Sequence, residues 1–280
     1  MSETCITYEK RKPPKVALVF YGLLRSIQYT LPNLQKQVFC ALTNAGYEYD
    51  IYCHNYTFPQ NHKYTNVRSR EYNIDLDPNA YKLLKPKYYI SDNQLDIAAQ
   101  LNLETYRTHG DPWPKTGFKT MDNYLLAMYS RKKVTELLAQ NIASDPQNHE
   151  YAMVMFLRSD VLFENTLPIL KLLALITDQE SRAPTARACL IPNFHHWLGG
   201  LNDRMFISKP SLALEYGLAF DKLLALSKER KLHSEQINKH LIIDVYHATP
   251  ILVPIFFARV RANGVILKED YNAAPNASGI

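Results

Sequence analysis

The sequence predicts an α/β fold in one domain, with a mostly parallel central sheet flanked by helices. Its first strand is the apolar run Val16–Tyr21, and a helical pattern follows from about Ser26 until Gly46. A second strand is predicted at Tyr49–His54. This strand–helix–strand order favours parallel strands, whose carboxyl ends share one edge of the sheet and commonly form the ligand crevice.

The strongest strand signal is Tyr151–Leu157, a continuous apolar run typical of the centre of a parallel sheet. A long helix is predicted before it, from about Met121 to Ala143. Residues 55–85 are polar and receive no assignment. The remaining predicted elements are a strand at 87–90, a loop at 105–117, a short strand at 161–163, a helix to residue 177, strands at 188–192 and 204–208, helices at 210–228 and 233–246, and strands within 251–267.

No repeat, low-complexity tract or linker divides the chain. We therefore predict a disordered lead-in at residues 1–14, which ends at Pro13-Pro14, one domain at 15–267 and a tail at 268–280.

Composition narrows the classes of function. The chain has 280 residues, of which 46% are hydrophobic and 21% charged, as in an ordinary globular protein. The formal net charge of +5 suits an anionic small ligand. The basic residues are too scattered for the clustered stripe that nucleic acid binding requires, so we expect no nucleic acid partner.

The cysteines and the apolar runs indicate a cytoplasmic protein. The four cysteines show no Cys-x-x-Cys spacing, and a chain of this size does not need disulfide bonds to fold. No N-terminal run resembles a signal peptide, and no stretch approaches the ~20 apolar residues of a membrane span. The glycosylation sequons at Asn55 and Asn276 are therefore interpreted as chance matches.

The segment Arg158-Ser159-Asp160 carries the main functional signal. It follows the most buried predicted strand, and charged groups next to apolar core are costly unless they are paired or serve a ligand. The carboxyl end of a parallel strand is also where ligands bind. The alternative is a purely structural Arg–Asp pair that closes the strand.

The ordered set of elements resembles the glycosyltransferases of the GT-A type. It comprises a first strand followed by Gly22 and Arg25, the strand around Asp50, a long helix, and the strand that ends before Asp160. More narrowly, the sequence is similar to glycosyltransferases of giant viruses and bacteria that carry Arg-x-Asp where others have Asp-x-Asp. The resemblance covers roughly residues 15–242 and implies a GT-A-like, Rossmann-type sheet.

The resemblance implies roles for the first set of site residues. In the GT-A family the last Asp of Asp-x-Asp ligates a divalent metal that the sugar diphosphate also holds, so Asp160 is the predicted metal ligand, with Mn²⁺ or Mg²⁺ as the ion. Arg158 stands at the first Asp position, where its guanidinium would instead neutralise the diphosphate. Gly22 and Arg25 follow the first strand and would contact the nucleotide. Asp50 and His54 would border the base, although a buried, hydrogen-bonded role suits His54 better.

Two acidic residues are predicted on the acceptor side. Asp203 follows the segment from His195 to Asn202, and the resemblance implies that it binds the donor sugar or acts as a base; the alternative is a turn that it caps with Asn202. Trp197 could stack on a sugar, and no further ligands accompany the adjacent histidines, which argues against zinc. Glu235 is a second candidate base, or simply a favourable charge at a helix start.

These residues together predict a glycosyltransferase that moves a sugar from a nucleoside diphosphate sugar to a carbohydrate acceptor. One alternative is a non-catalytic nucleotide- or glycan-binding protein with the same fold. A different α/β enzyme is the other alternative, but the sequence has no Walker-type phosphate loop, no Gly-x-Ser-x-Gly and no Gly-x-Gly-x-x-Gly.

Overall fold

A computed structural model describes residues 12–272 of the chain. In order, its strands and helices are β1 (Lys15–Gly22), α1 (Ile27–Leu34), α2 (Cys40–Asn44), β2 (Glu48–Thr57), β3 (Tyr64–Asn66), β4 (Glu71–Ile74), β5 (Tyr88–Asn93), α3 (Gln94–Gln100), α4 (Lys119–Ser144), β6 (Tyr151–Leu157), β7 (Val161–Phe163), α5 (Ile169–Glu180), β8 (Ala188–Pro192), β9 (Met205–Ser208), α6 (Pro210–Gly217), α7 (Phe220–Glu229), α8 (Ser234–His240), β10 (Thr249–Val253), β11 (Phe257–Arg259) and α9 (Glu269–Asn272).

Seven strands form the central sheet, in the order β10-β8-β9-β6-β1-β2-β5. Strands β6, β1, β2 and β5 are parallel to one another, and β8 is parallel to β10. Strand β9 alone in this sheet runs antiparallel to its neighbours β6 and β8. The predicted α/β fold with a mostly parallel sheet is therefore confirmed.

The sheet is buried on both faces. Along β1, Ala17 and Val19 pack into the core that includes residues of α4. The alternate residues Leu18 and Phe20 pack into the core on the other side, with α1 and α5. Because both faces of the strand are covered, its sequence is a continuous apolar run. Burial of apolar surface on this scale provides most of the stabilisation of the fold.

The segment after β6 leaves the central sheet. Strand β7 pairs with β11 in a separate two-stranded antiparallel sheet. The N–H of Val260 donates to the carbonyl of Asp160 at 2.8 Å, and the Thr30 hydroxyl donates to the carbonyl of Ser159 at 2.5 Å. These hydrogen bonds fix residues 158–160 at the carboxyl edge of the parallel strands.

Several elements differ from the predicted ones. The helix predicted at 210–228 is interrupted after Gly217, which lies so close to Thr135 of α4 that a Cβ there would overlap its side chain. The unassigned region contains the hairpin of β3 and β4. Helix α3 was missed by the prediction. Its start is marked by Asn93, whose side chain accepts the N–H of Leu95 at 2.9 Å, a common capping arrangement.

The ends of the chain are described only in part. Of the predicted tail, residues 269–272 form α9, and Asp270 is buried and paired with Arg259, so the ordered chain continues past the predicted boundary at 267. Most of the predicted lead-in and the sequon at Asn276 lie outside the described residues. Asn55, in the other sequon, is buried within β2. Across residues 12–272, no helix combines the length and apolar character needed to cross a bilayer.

Candidate active site

A cavity of about 700 Å³ opens at the carboxyl edge of the parallel strands. Its lining comes from the chain just after β1 and β6, from α4, from residues 197–204, from the start of α8 and from the chain around β11. All six predicted site residues lie on its wall, and their chemical roles stay predictions. These residues are Gly22, Arg25, Arg158, Asp160, Asp203 and Glu235.

Arg158 and Asp160 form a two-pronged ion pair at the end of β6. Arg158 Nε donates to Asp160 Oδ1 at 2.7 Å, and Arg158 Nη2 donates to Oδ2 at 2.7 Å. Burial alone would raise the pKa of the Asp160 carboxyl, but the charges of Arg158 and Arg25 outweigh it and hold that pKa well below its ordinary value. Asp160 is therefore ionised at any physiological pH.

Arg25 is a second partner of Asp160. Its Nη2 donates to Asp160 Oδ2 at 3.3 Å, and its Nη1 donates to Glu71 Oε2 at 3.1 Å and to the Tyr64 hydroxyl. Glu71 is 1% exposed, and its other oxygen accepts the N–H of Ala262 at 2.6 Å. Arg25 thus joins the start of the chain to β4 and to the segment after β11.

A buried chain of hydrogen bonds holds Gly22 in place. Gly22 adopts a φ of +92°, a conformation that favours glycine. The Gly22 N–H donates to Ser130 Oγ at 2.6 Å, and that oxygen lies 2.6 Å from His54 Nδ1. The other ring nitrogen of His54 lies 3.0 Å from Asp92 Oδ2. His54 is thus a buried, hydrogen-bonded histidine, as its alternative interpretation held.

The expectation that Asp50 borders a base pocket is wrong for this structure. Asp50 lies near the start of β2, away from the carboxyl edge, and does not line the cavity. Its carboxylate accepts from Lys87 Nζ at 2.8 Å and from the Tyr151 hydroxyl at 2.8 Å. Position along the strand, rather than the strand itself, decides which residues face the ligand edge.

Arg259 and Arg261 were missed by the sequence analysis. Both line the cavity, and Arg259 forks onto Asp270, with Nε donating to Oδ2 and Nη2 donating to Oδ1 at 2.8 Å each. Burial, followed by the positive charges of Arg259 and Arg25, lowers the pKa of Arg261. The spacing Arg-x-Arg was the available signal, since residues two apart in an extended segment share a side. We call Arg25, Arg158, Arg259 and Arg261 the arginine cluster.

Arg131 of α4 is another cavity residue that the sequence did not indicate. It is 2% exposed, its guanidinium carbon lies 3.8 Å from the centre of the Tyr216 ring, and its Nε and Nη2 have no hydrogen-bond partner among the described residues. A buried cation without a carboxylate partner adds to the positive potential of the cavity. Within a helical sequence it looks like any surface arginine.

Asp203 differs from Asp160 because no arginine holds it. Its carboxylate lines the cavity and makes no hydrogen bond or ion pair with any residue of the described chain. The turn is instead capped by Asn202, whose Oδ1 accepts the N–H of Arg204 at 2.9 Å. The neighbouring His195 contacts Arg204, and His196 Nδ1 accepts the N–H of Asn202 at 3.2 Å, so both histidines serve the turn.

Glu235 lies in the first turn of α8 and is only 4% exposed. Ser234 Oγ donates to its Oε2 at 2.6 Å, and Arg204 Nη2 lies 3.9 Å from its Oε1. Burial, and then the negative charge of Asp203, raises the pKa of Glu235 to about 7. A carboxyl group with that pKa can exchange a proton at neutral pH, as a general base must.

Gly200 fixes the distance between the segment 197–204 and the start of α8. A Cβ at this position would overlap the carbonyl group of Glu235, so only glycine permits so close an approach. The next residue, Leu201, donates its N–H to the same carbonyl at 2.9 Å. Asp203 and Glu235 are therefore held in one unit.

The residues around Asp160 do not fit a divalent cation. Both carboxylate oxygens already accept guanidinium hydrogen bonds, and the first motif position is an arginine. In the part of the chain that the structure describes, no three His, Cys, Asp or Glu side chains are grouped so that they could hold a metal ion. The assignment of Asp160 as a metal ligand therefore stays a prediction that this donor set does not favour.

The raised pKa of Glu235 predicts how replacing it changes stability with pH. The folded protein keeps this carboxyl protonated up to about pH 7, above the ordinary value of 4.5, so its contribution to stability is lost as pH rises between these values. Glu235→Gln cannot ionise. We expect its free energy of unfolding to exceed that of the wild type by on the order of 1–3 kcal/mol more at pH 8 than at pH 5.5, measured by urea unfolding.

The exposed Glu150→Gln is the matched control for this measurement, because Glu150 lies outside every helix and strand. Its difference from the wild type should be the same at both pH values. An equal difference at both pH values for Glu235→Gln would contradict the raised pKa.

Comparison with known proteins gives only distant similarities. No protein-family model and no curated protein sequence matches the chain. Among solved structures, mouse xyloside xylosyltransferase 1 in its apo form is similar over 86% of this chain and 85% of that chain, with 11% sequence identity and a TM-score of 0.41. An active-site mutant of LgtC is similar over 84% and 72%, with 8% identity and a TM-score of 0.42. The narrower resemblance to viral and bacterial proteins with Arg-x-Asp finds no support in these comparisons.

Proposed function

We propose that this chain is a glycosyltransferase that moves a sugar from a nucleoside diphosphate sugar to a carbohydrate acceptor. One observation carries the proposal: a single cavity combines a large excess of arginine with two carboxylates that no arginine holds tightly. Asp203 pairs with none of the arginines, and the nearest arginine nitrogen to Glu235 is Arg204 Nη2 at 3.9 Å. The cavity wall holds seven arginines against three carboxylates. The arginines are Arg25, Arg68, Arg131, Arg158, Arg204, Arg259 and Arg261.

The excess of positive charge suits the diphosphate of the donor. Guanidinium groups bind phosphate oxygens in pairs and stay charged at all physiological pH values. A second cavity of about 440 Å³ shares Leu23, Arg25 and Tyr56 with the first. We assign the nucleoside to this second cavity, so that Arg25 stands where the nucleoside meets the diphosphate.

The two carboxylates suit the transfer step. An acceptor hydroxyl oxygen attacks the anomeric carbon of the donor sugar while the bond from that carbon to the phosphate oxygen breaks. The hydroxyl proton passes to Glu235, and the nucleoside diphosphate leaves with the bonding electrons. Asp203 accepts hydrogen bonds from hydroxyl groups of the donor sugar, and arginines stabilise the charge that develops on the leaving group.

Turnover of a donor tests the proposed function. The purified chain should hydrolyse or transfer from at least one member of a panel of UDP- and GDP-sugars, tested with and without Mn²⁺. Arg158→Gln should weaken binding of that donor about tenfold or more, because a charge-assisted pair with phosphate is lost. Arg230→Gln is the matched control, since Arg230 lies outside both cavities.

The outcome separates the proposal from its alternative. Binding of a nucleoside diphosphate sugar without any turnover would favour a non-catalytic binding protein. If no nucleotide sugar binds or shifts the melting temperature under either condition, the proposed function is wrong.

The pH dependence of the reaction tests the role of Glu235. With Glu235 as the base, kcat/KM should rise about tenfold per pH unit below pH 7 and level off above it, because only the ionised carboxylate accepts the proton. Glu235→Gln should lower kcat by about 10²–10⁴-fold and abolish this rise in the residual rate. Glu150→Gln should leave the profile unchanged. A wild-type profile that is retained in Glu235→Gln would assign the base elsewhere.

Trp197 lines the cavity, and its side chain is 54% exposed. An aromatic face at this position is suited to stacking on an acceptor sugar. Trp197→Ala should raise the acceptor KM by roughly fivefold or more with little change in kcat, the pattern of lost ground-state binding. Tyr72→Ala, an equally exposed aromatic residue outside both cavities, is the control. A lower kcat with an unchanged KM would contradict the stacking role.

A further inference from the structure

Both carboxylate oxygens of Asp160, which follows β6, accept hydrogen bonds from arginines. Oδ1 of Asp160 accepts from Arg158 Nε at 2.7 Å, and Oδ2 accepts from Arg158 Nη2 at 2.7 Å and from Arg25 Nη2 at 3.3 Å. A divalent cation at Asp160 would have to displace two guanidinium groups and then lie beside their positive charges. Hard cations need several oxygen ligands, and here those oxygens are already in use.

The neighbouring carboxylates, Glu71 and Asp270, also accept hydrogen bonds from arginines. Glu71 accepts from Arg25 at 3.1 Å and from the N–H of Ala262 at 2.6 Å. Asp270 accepts the fork of Arg259 at 2.8 Å. Neither carboxylate lines the cavity, so neither is available to complete a metal site there.

The arginine cluster nevertheless keeps an excess of positive charge. Three of its four arginines, Arg25, Arg158 and Arg259, are paired with three carboxylates, which leaves one positive charge over. Arg261 is the member without an acidic partner: no carboxylate of the described residues lies within 4.0 Å of it, and its Nε is buried without a hydrogen-bond acceptor. Arg261 is partly buried, and a cation removed in part from water is stabilised by an anion, which no described carboxylate supplies at ion-pair distance.

We propose that the arginine cluster takes the place of a divalent cation, so that this chain binds its nucleoside diphosphate donor and transfers sugar without metal. The inference rests on the proposed function. Arg158, Arg259 and Arg261 contact the diphosphate, and Arg261 supplies the unpaired charge. Asp160 is a positioning residue that holds Arg158 and Arg25 in place.

The arrangement explains why an arginine at the first motif position is compatible with catalysis. As the bond between the sugar and the phosphate breaks, negative charge grows on the leaving diphosphate. Donors that are already fixed in position stabilise this charge without reorganisation. Asp160, Glu71 and Asp270 provide that fixation, because each accepts at least one guanidinium hydrogen bond of 3.1 Å or less.

Binding of UDP and GDP to the metal-stripped full chain tests the proposal. We expect one of them to bind with a Kd that changes less than about threefold between EDTA and 1 mM Mn²⁺, measured by calorimetry, and the transfer rate to change as little. Arg261→Gln should weaken binding of that nucleoside diphosphate about tenfold or more. The corresponding nucleoside should bind equally to both proteins, which a general loss of folding would not allow. Arg230→Gln is the control.

Asp160→Asn tests the positioning role. It removes the charge but keeps the shape, so we expect weaker nucleoside diphosphate binding in EDTA. The Mn²⁺ electron paramagnetic resonance spectrum of nucleotide plus protein should be the same for wild type and variant, because Asp160 holds no ion. A protein-dependent Mn²⁺ signal that Asp160→Asn abolishes would overturn the proposal.

The failures can be told apart. If the nucleoside diphosphate binds only with Mn²⁺, the metal-free proposal is wrong and the proposed function stands. If neither UDP nor GDP binds under any condition, both are wrong. If Arg261→Gln binds the diphosphate like the wild type, the assignment of the unpaired charge to the ligand is overturned.

Discussion

The site depends on the pairing of Arg158 with Asp160 at the end of β6. Guanidinium and carboxylate charges beside an apolar core are costly unless they are paired and hydrogen-bonded, and both hydrogen bonds of this pair measure 2.7 Å. The backbone of the same aspartate accepts the N–H of Val260 at 2.8 Å, which brings the segment with Arg259 and Arg261 to the cavity. One residue thus fixes both the local charge and the path of a distant part of the chain.

Hydrogen bonds divide the acidic residues around the cavity into two groups. In the first group, each carboxylate accepts an arginine hydrogen bond of 3.1 Å or less and so neutralises a cation. Its members are Asp160, Glu71 and Asp270. Asp203 has no such partner among the described residues, and Glu235 has Arg204 only at 3.9 Å. Both groups consist of Asp and Glu residues. The chemistry that each carboxylate can perform is therefore decided by its hydrogen-bond and ion-pair partners.

The sequence predicted the sheet and the edge of the cavity better than it predicted the cavity wall. Apolar runs report burial directly, so Tyr151–Leu157 was recognisable as a central strand, and its carboxyl end located Arg158 and Asp160. Arg261 joins them through the pairing of β7 with β11, a long-range contact that no local pattern encodes. Asp50 was misjudged because it lies near the amino end of β2, whereas the cavity lies at the carboxyl ends of the parallel strands.

Backbone packing brings the negative charge of Asp203 close to that of Glu235. Gly200 lets its segment touch the backbone of Glu235, and Asn238 donates to the carbonyl of Asn202 at 2.9 Å, so the turn and helix α8 are locked together. That lock holds Asp203 near a buried Glu235, and its negative charge adds to burial in raising the pKa of Glu235 to about 7. A proton acceptor suited to neutral pH therefore arises from backbone packing at a glycine, since without that close approach Glu235 would be better solvated and less basic.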